Sequence, residues 1–211
     1  MHQRTFSLEV GGKTLIAEFN DLAEQANGSV MMRYGNTVVL ATAVMSAEAR
    51  QGDGHNGKSG HGEDGGFLPL TVEYEERFYA SGKILGSRFM RREGRPSDEA
   101  ILSGRIVDRT IRPLFNQKIR NEIQVVLTVM SIDEDDPDVV SVIAASLALG
   151  VSDIPWDGPV SAVRVTKNEV FHINPNYATR EEAGVSLELV ACGKEGLVNM
   201  IEVGSKEVSE A

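Results

Sequence analysis

The sequence predicts a single α/β domain over residues 1–211, with a mixed β-sheet packed against helices. Three observations lead there. Short strand-like runs recur in pairs from one end of the chain to the other. Two long helical patterns interrupt them, at 97–115 and 139–149, and no linker or internal repeat divides the 211 residues. A hydrophobic content of 41% with 25% charged residues suits a globular chain.

The first strands fall at 5–10 and 13–19, joined by Gly11-Gly12, a strong hairpin signal. A second pair, 29–33 and 37–43, surrounds Tyr34-Gly35-Asn36. The run TVVLATA at 37–43 is apolar almost throughout, which places it centrally in the sheet. Residues 46–66 are glycine-rich and carry no large apolar side chain. They cannot repay the entropy of ordering and read as a mobile surface loop. His55 and His61 lie here near Asp53 and Glu63, but their spacing matches no known metal cage, so no metal ligands are assigned. Residues 67–78 resume as extended chain.

The stretch RFMRREGRPSDEAILSGRIVDRTIRPLF, 88–115, is the most distinctive. Pro96 disfavours helix before it, Ser97 is a good N-cap, and Arg112-Pro113 limits extension. At 100° per residue, Ala100, Gly104, Val107, Ile111 and Leu114 share one face. Leu102 and Ile106 form a second apolar stripe, predicting a helix buried between neighbours. Internal salt bridges and outward-facing roles both stay open for Arg105, Arg109 and Arg112. Arg91, Arg92 and Arg95 differ, because they sit in a Gly-containing turn beside Phe89. That combination suits phosphate forks and base stacking, although a merely exposed cationic turn has the same composition.

Residues 122–132 form the next strand. DEDDPD at 133–138 leads into a helix, 139–149, that is apolar nearly all round, with Asp136 as N-cap and Pro137 at its first position. A helix N-terminus attracts anions, but here the chain's own carboxylates occupy it. A structural capping role for them is favoured over a metal site. Trp156 anchors the turn at 153–159 against the core. Strands follow at 161–166, 169–173, 186–191 and 197–203, and His172 reads as an ordinary packed or half-exposed histidine.

The net charge of −10 argues against a polyanion partner until its distribution is considered. Residues 88–120 hold nine Lys/Arg against four Asp/Glu, while the remainder holds 12 against 27. An acidic body with one basic segment confines a polyanion to one place. The single cysteine, Cys192, excludes an internal disulfide. The N-terminus lacks the apolar region of a secretion signal, and no apolar run approaches the ~20 residues of a membrane span. These features point to a cytoplasmic location and no membrane partner.

The runs FMRREGRPSDEAILSGRIVDRTIRPLF and RNEIQVVLTVMSIDEDDPDVVSVIAASLALGVSDIPWDGPVSAVRV carry a resemblance. RYGNTVVLATAV, FLPLTVEYEERFYASGKI and ELVACG extend it more weakly over nearly the whole chain. The chain resembles the first catalytic-core domain of the bacterial polynucleotide phosphorylase (polyribonucleotide nucleotidyltransferase) family, within the RNase PH-like superfamily. The resemblance implies an RNase PH-like fold. It also implies a role in a 3′-to-5′ phosphorolytic exoribonuclease of mRNA degradation, built as a ring-shaped homotrimer and using Mg2+ and inorganic phosphate. In that family the phosphate and metal residues belong to a second core half, followed by KH and OB-type domains. None of these later parts matches here, so no catalytic residue and no bound cofactor is expected in this chain. Its implied role is to form the ring and bind single-stranded RNA at the channel entrance through Phe89, Arg91, Arg92 and Arg95. The family's usual Phe-Phe pair is Phe89-Met90 in this sequence. Other RNA-decay proteins are further implied partners. Two other classes stay open: a non-catalytic RNA-binding or scaffold subunit of an exosome-like ring, and a standalone RNase PH-type enzyme.

Overall fold

A computed structural model describes residues 3–49, 67–84, 86, 95–206 and 208. Strands β1 (Arg4–Val10) and β2 (Lys13–Phe19) pair antiparallel through Gly11 and Gly12, both at positive φ as a tight two-residue hairpin turn requires. Strand β3 (Gly28–Tyr34) turns at Gly35 into β4 (Thr37–Ala49). With β5 (Leu70–Glu76) and β6 (Asn121–Ser131) they form a six-stranded sheet of order β1-β2-β3-β4-β6-β5, mixed because β5 runs parallel to β6. As its composition predicts, β4 lies between β3 and β6, and Val39, Ala41 and Ala43 are fully buried.

The expected surface loop at 46–66 is corrected at its start. Residues 46–49 continue β4, where Asn121 Nδ2 donates to Ser46 O (2.9 Å) and the Glu122 amide donates to Ser46 Oγ (2.9 Å). Partner-strand hydrogen bonds hold this stretch extended without a large apolar side chain. Residues 50–66 lie outside the described residues.

Helix α1 spans Asp98–Ile111, and a single 3-10 turn at Arg112–Leu114 replaces its predicted last turn because Pro113 supplies no amide donor. Its main face is buried as predicted, through Ala100, Gly104, Val107 and Ile111. The second stripe is buried only in part, since Ile106 is buried but Leu102 is 54% exposed. α1 packs against β5, the second helix and, more lightly, the last strand of the second sheet, and leaves Leu102 half exposed. Helix α2 (Pro137–Gly150) contacts β3, β4 and β6 on one side. On its other side it contacts β7 (Ser161–Lys167) of a second sheet, ordered β10-β9-β7-β8. That sheet comprises β7, β8 (Phe171–Ile173), β9 (Leu187–Lys194) and β10 (Leu197–Ser205). The helices therefore lie between two sheets, which explains why α2 is apolar all round.

Strand β8 is shorter than predicted because Asn168 closes a turn on the Val170 amide (3.1 Å). The one-turn helix α3 (Tyr177–Arg180), capped by Asn176 Oδ1 accepting from the Thr179 amide (2.9 Å), had no periodic signal to reveal it. Trp156 anchors its turn, donating from Nε1 to Ile111 O (3.1 Å) beside the Phe115 ring.

Candidate functional site

The N-terminal ends of α1 and α2 open onto one cleft, of about 620 Å³, whose third wall is the end of β5. Ser97 builds the first edge. Its Oγ accepts from the Ala100 amide (3.0 Å) and donates to Glu76 Oε2 (3.1 Å), fastening the chain before α1 to β5. Gly104 faces β5, where a β-carbon would stand in ordinary contact 3.4 Å from Tyr74 Cβ.

The second edge is acidic. Asp136 Oδ1 accepts from the Asp138 amide (3.0 Å), the predicted cap. Arg164, only 6% exposed on β7, reaches Asp138 Oδ2 at 3.0 Å and Asp136 Oδ2 at 3.2 Å, and also pairs with Glu188. Arg180 pairs with Asp136 and lies 2.7 Å from Glu188 Oε1. Lys13 holds Asp135 through contacts of 2.6 and 2.8 Å. The carboxylates at this helix N-terminus are thus tied to cations from three other segments, the structural role read from the sequence. Burial, then the neighbouring Asp136 carboxylate, pushes the Asp138 carboxyl up to about 7 despite Arg164. Burial and the same two aspartates also raise the Tyr177 hydroxyl. An anion approaching α2 meets these carboxylates before it meets the helix amides.

Of the four residues expected to grip RNA, Arg95 stands exposed at the mouth of the cleft, two residues before the α1 cap. It makes no hydrogen bond or ion pair among the described residues. Phe89, Arg91 and Arg92 lie outside the described residues. Arg112 is internal, pairing with Asp108 and donating to Leu70 O (3.0 Å) and Leu68 O (3.3 Å). Arg105 and Arg109 are exposed and unpaired among the described residues, so their share of the salt-bridge reading fails. Sequence reasoning missed Arg164, Arg180 and Tyr74. Arg164 left one legible trace, since it alternates in register with Ala162 and Thr166 on the inward side of a strand, where a lone arginine needs buried acids.

The model of the 3′ exoribonuclease family, domain 1, matches residues 11–155 and spans both edges of this cleft. The chain belongs to that family. Similar family members are the polyribonucleotide nucleotidyltransferases of Exiguobacterium sibiricum, 47% identical over 210 residues, and Geobacillus kaustophilus, 48% identical over 210 residues. Each alignment covers 99% of this chain but only 26% and 27% of those proteins, so the chain spans about a quarter of the relatives it matches. The exoribonuclease-family fold recurs in a crystal structure of rice (Oryza sativa) Rrp46, with a TM-score of 0.67 at 13% identity, covering 99% of this chain and 83% of that one. The RNase PH-like fold is therefore shared well beyond recognisable sequence similarity. Among the described residues, no helix is long and apolar enough to cross a membrane, and no three His, Cys, Asp or Glu side chains converge as a metal site.

Proposed function

We propose that this chain is one RNase PH-like domain, the first core half of a polynucleotide phosphorylase. Its parent would be a cytoplasmic 3′-to-5′ phosphorolytic exoribonuclease of mRNA decay. In this reading the domain forms part of a homotrimeric ring and grips single-stranded RNA through Phe89, Arg91, Arg92 and Arg95. Phosphate attack and magnesium belong elsewhere in the parent. The observation that carries the division of labour is the filled N-terminus of α2. Asp136 and Asp138 occupy the position an attacking phosphate would need, and Arg164 and Arg180 are spent on them. Neither phosphate nor magnesium fits this cleft, because the carboxylates repel the anion and are already engaged by guanidinium groups. The same carboxylates disfavour a standalone phosphorolytic enzyme. Placement of Arg95 at the cleft mouth supports the RNA role, since it puts a guanidinium that is unpaired among the described residues at the end of the cationic turn.

The test is phosphorolysis by the 211-residue chain, purified free of host enzyme and supplied with RNA, phosphate and magnesium. No release of nucleoside diphosphates is expected. Robust turnover overturns the reading.

A further inference from the structure

Just past the end of β5, a 3-10 turn (Phe78–Ser81) carries two consecutive aromatic residues, and folding leaves both rings exposed. The backbone beneath them is held firmly. Ala80 is buried, and its carbonyl accepts from the Ile132 amide beyond the end of β6 (2.9 Å). Gly82, at positive φ, closes the turn, its amide donating to Tyr79 O (3.0 Å). The Tyr79 hydroxyl donates to Met130 Sδ at 3.7 Å, on the exposed side of β6, and the residue stays 55% exposed. Tyr79 is therefore a fixed, water-facing aromatic on a rigid element.

Its charge setting separates Tyr79 from the other exposed rings. From Arg77 to Arg95 the chain holds six Lys/Arg against one Glu. Lys83, next after the Gly82 cap, is exposed, and its side chain makes no hydrogen bond or ion pair among the described residues. Phe78 lines the carboxylate cleft, whose acids repel a phosphate backbone, whereas Tyr79 does not line it. Phe6 packs edge-on against Phe19, and Phe171 lies under Lys167 in the second sheet, both outside the basic segment.

We propose that Tyr79 is a stacking platform for a base of single-stranded RNA, with Lys83 on a neighbouring phosphate, which rests on the reading that the cationic turn ending at Arg95 holds RNA. Lys83 precedes that turn in the chain and Arg95 closes it, while Phe78 and Arg95 line one cleft, so Tyr79 sits at the base of the turn. The turn itself carries one aromatic, Phe89, and successive bases need successive rings. Tyr79 supplies a second ring on an element that is already ordered, so little freedom is lost when a base lies on it. Stacking of this kind tolerates any base, because every base has a π-face.

The experiment titrates single-stranded RNA, and an abasic strand of the same length, onto the ring-assembled parent enzyme, with sedimentation confirming the assembly of each variant. Tyr79→Ala should weaken RNA binding ~5-fold or more with the salt slope unchanged, while Tyr79→Phe stays within about 2-fold of wild type. Neither should change affinity for the abasic strand. Lys83→Ala should flatten the salt dependence by about 0.7. Phe171→Ala, which removes an exposed ring beside a lysine outside the basic segment, should leave affinity unchanged. If Tyr79→Ala holds RNA like wild type while joint replacement of Arg91, Arg92 and Arg95 by alanine releases it, the proposal is overturned and the RNA reading stands. If the arginine variant also binds like wild type, both fall. Equal loss on RNA and on the abasic strand overturns the proposal, since Tyr79 then only supports the turn. Loss of assembly with Tyr79→Ala overturns it too, because the side chain then meets protein rather than a base.

Discussion

Replacing Asp138 by asparagine should make the chain more stable at pH 8 than the wild type, while leaving the two alike near pH 4. The carboxyl of Asp138 rises from its ordinary 3.8 to about 7 in the folded chain, through burial first and Asp136 second. Because the folded value is the higher one, the native state binds more protons than the unfolded state between about pH 4 and 7. Stability from this group is therefore fully present below that window and lost as pH rises through it. At about 1.4 kcal/mol per pH unit the upper limit is ~4 kcal/mol. A gain on the order of 2 kcal/mol, below that limit, is expected. Two smaller effects oppose it. Asparagine gives up part of the 3.0 Å contact with Arg164, and a negative charge near a helix N-terminus is worth about 0.3–1 kcal/mol. The assay is urea unfolding of both proteins at half-unit steps from pH 4 to 8, read as the difference between them so that other carboxylates cancel. A difference that stays flat across the range, or that favours wild type increasingly toward pH 8, refutes the reasoning.

Arg164→Ala should cost about 3–5 kcal/mol in the same unfolding assay near pH 7, because it strands Asp136 and Asp138 at the buried end of α2. Gly28→Ala should cost about 3 kcal/mol, since its β-carbon would stand 2.1 Å from Ala148 O in the packed face of α2. Gly104→Ala should instead be neutral or stabilise by up to ~1 kcal/mol, because the 3.4 Å contact with Tyr74 Cβ is ordinary packing and alanine favours helix. Arg105→Ala, on an exposed and unpaired side chain, should leave the melting temperature within a degree or two.

Local chemistry made much of this fold legible. Gly11-Gly12 announced its hairpin, Ser97 and Asp136 announced their helices, and the unbroken apolar run of β4 announced a strand with neighbours on both sides. What stayed hidden depends on contacts distant in sequence. An amphipathic pattern cannot say how many neighbours a helix has, so Leu102 looked buried although it is 54% exposed, while Ile106 of the same stripe is buried. Residues 46–49, without a large apolar side chain, carried no strand signal, because hydrogen bonds from Asn121 and Glu122 extend β4 there. At the site, the acidic cap was visible in DEDDPD, but its counterions, Arg164 and Arg180, lie 28 and 44 residues beyond Asp136 and meet it only through β7 and α3. Tyr74 was passed over because nothing in a strand sequence tells whether a buried hydroxyl finds a partner.

The central claim is that the cationic turn ending at Arg95 holds RNA while the carboxylate-filled cleft does no phosphate chemistry. Its most direct test is the salt dependence of single-stranded RNA binding, measured in the ring-assembled parent enzyme with Arg91, Arg92 and Arg95 all replaced by alanine. Each phosphate contact on a single strand contributes a slope of about 0.7, so losing three should weaken binding and flatten the dependence by roughly two units. Phe89→Ala should cost ~1–3 kcal/mol with little change in slope, as a stacking contact does. A triple variant that binds RNA as tightly as wild type, with the same salt slope, would contradict the account.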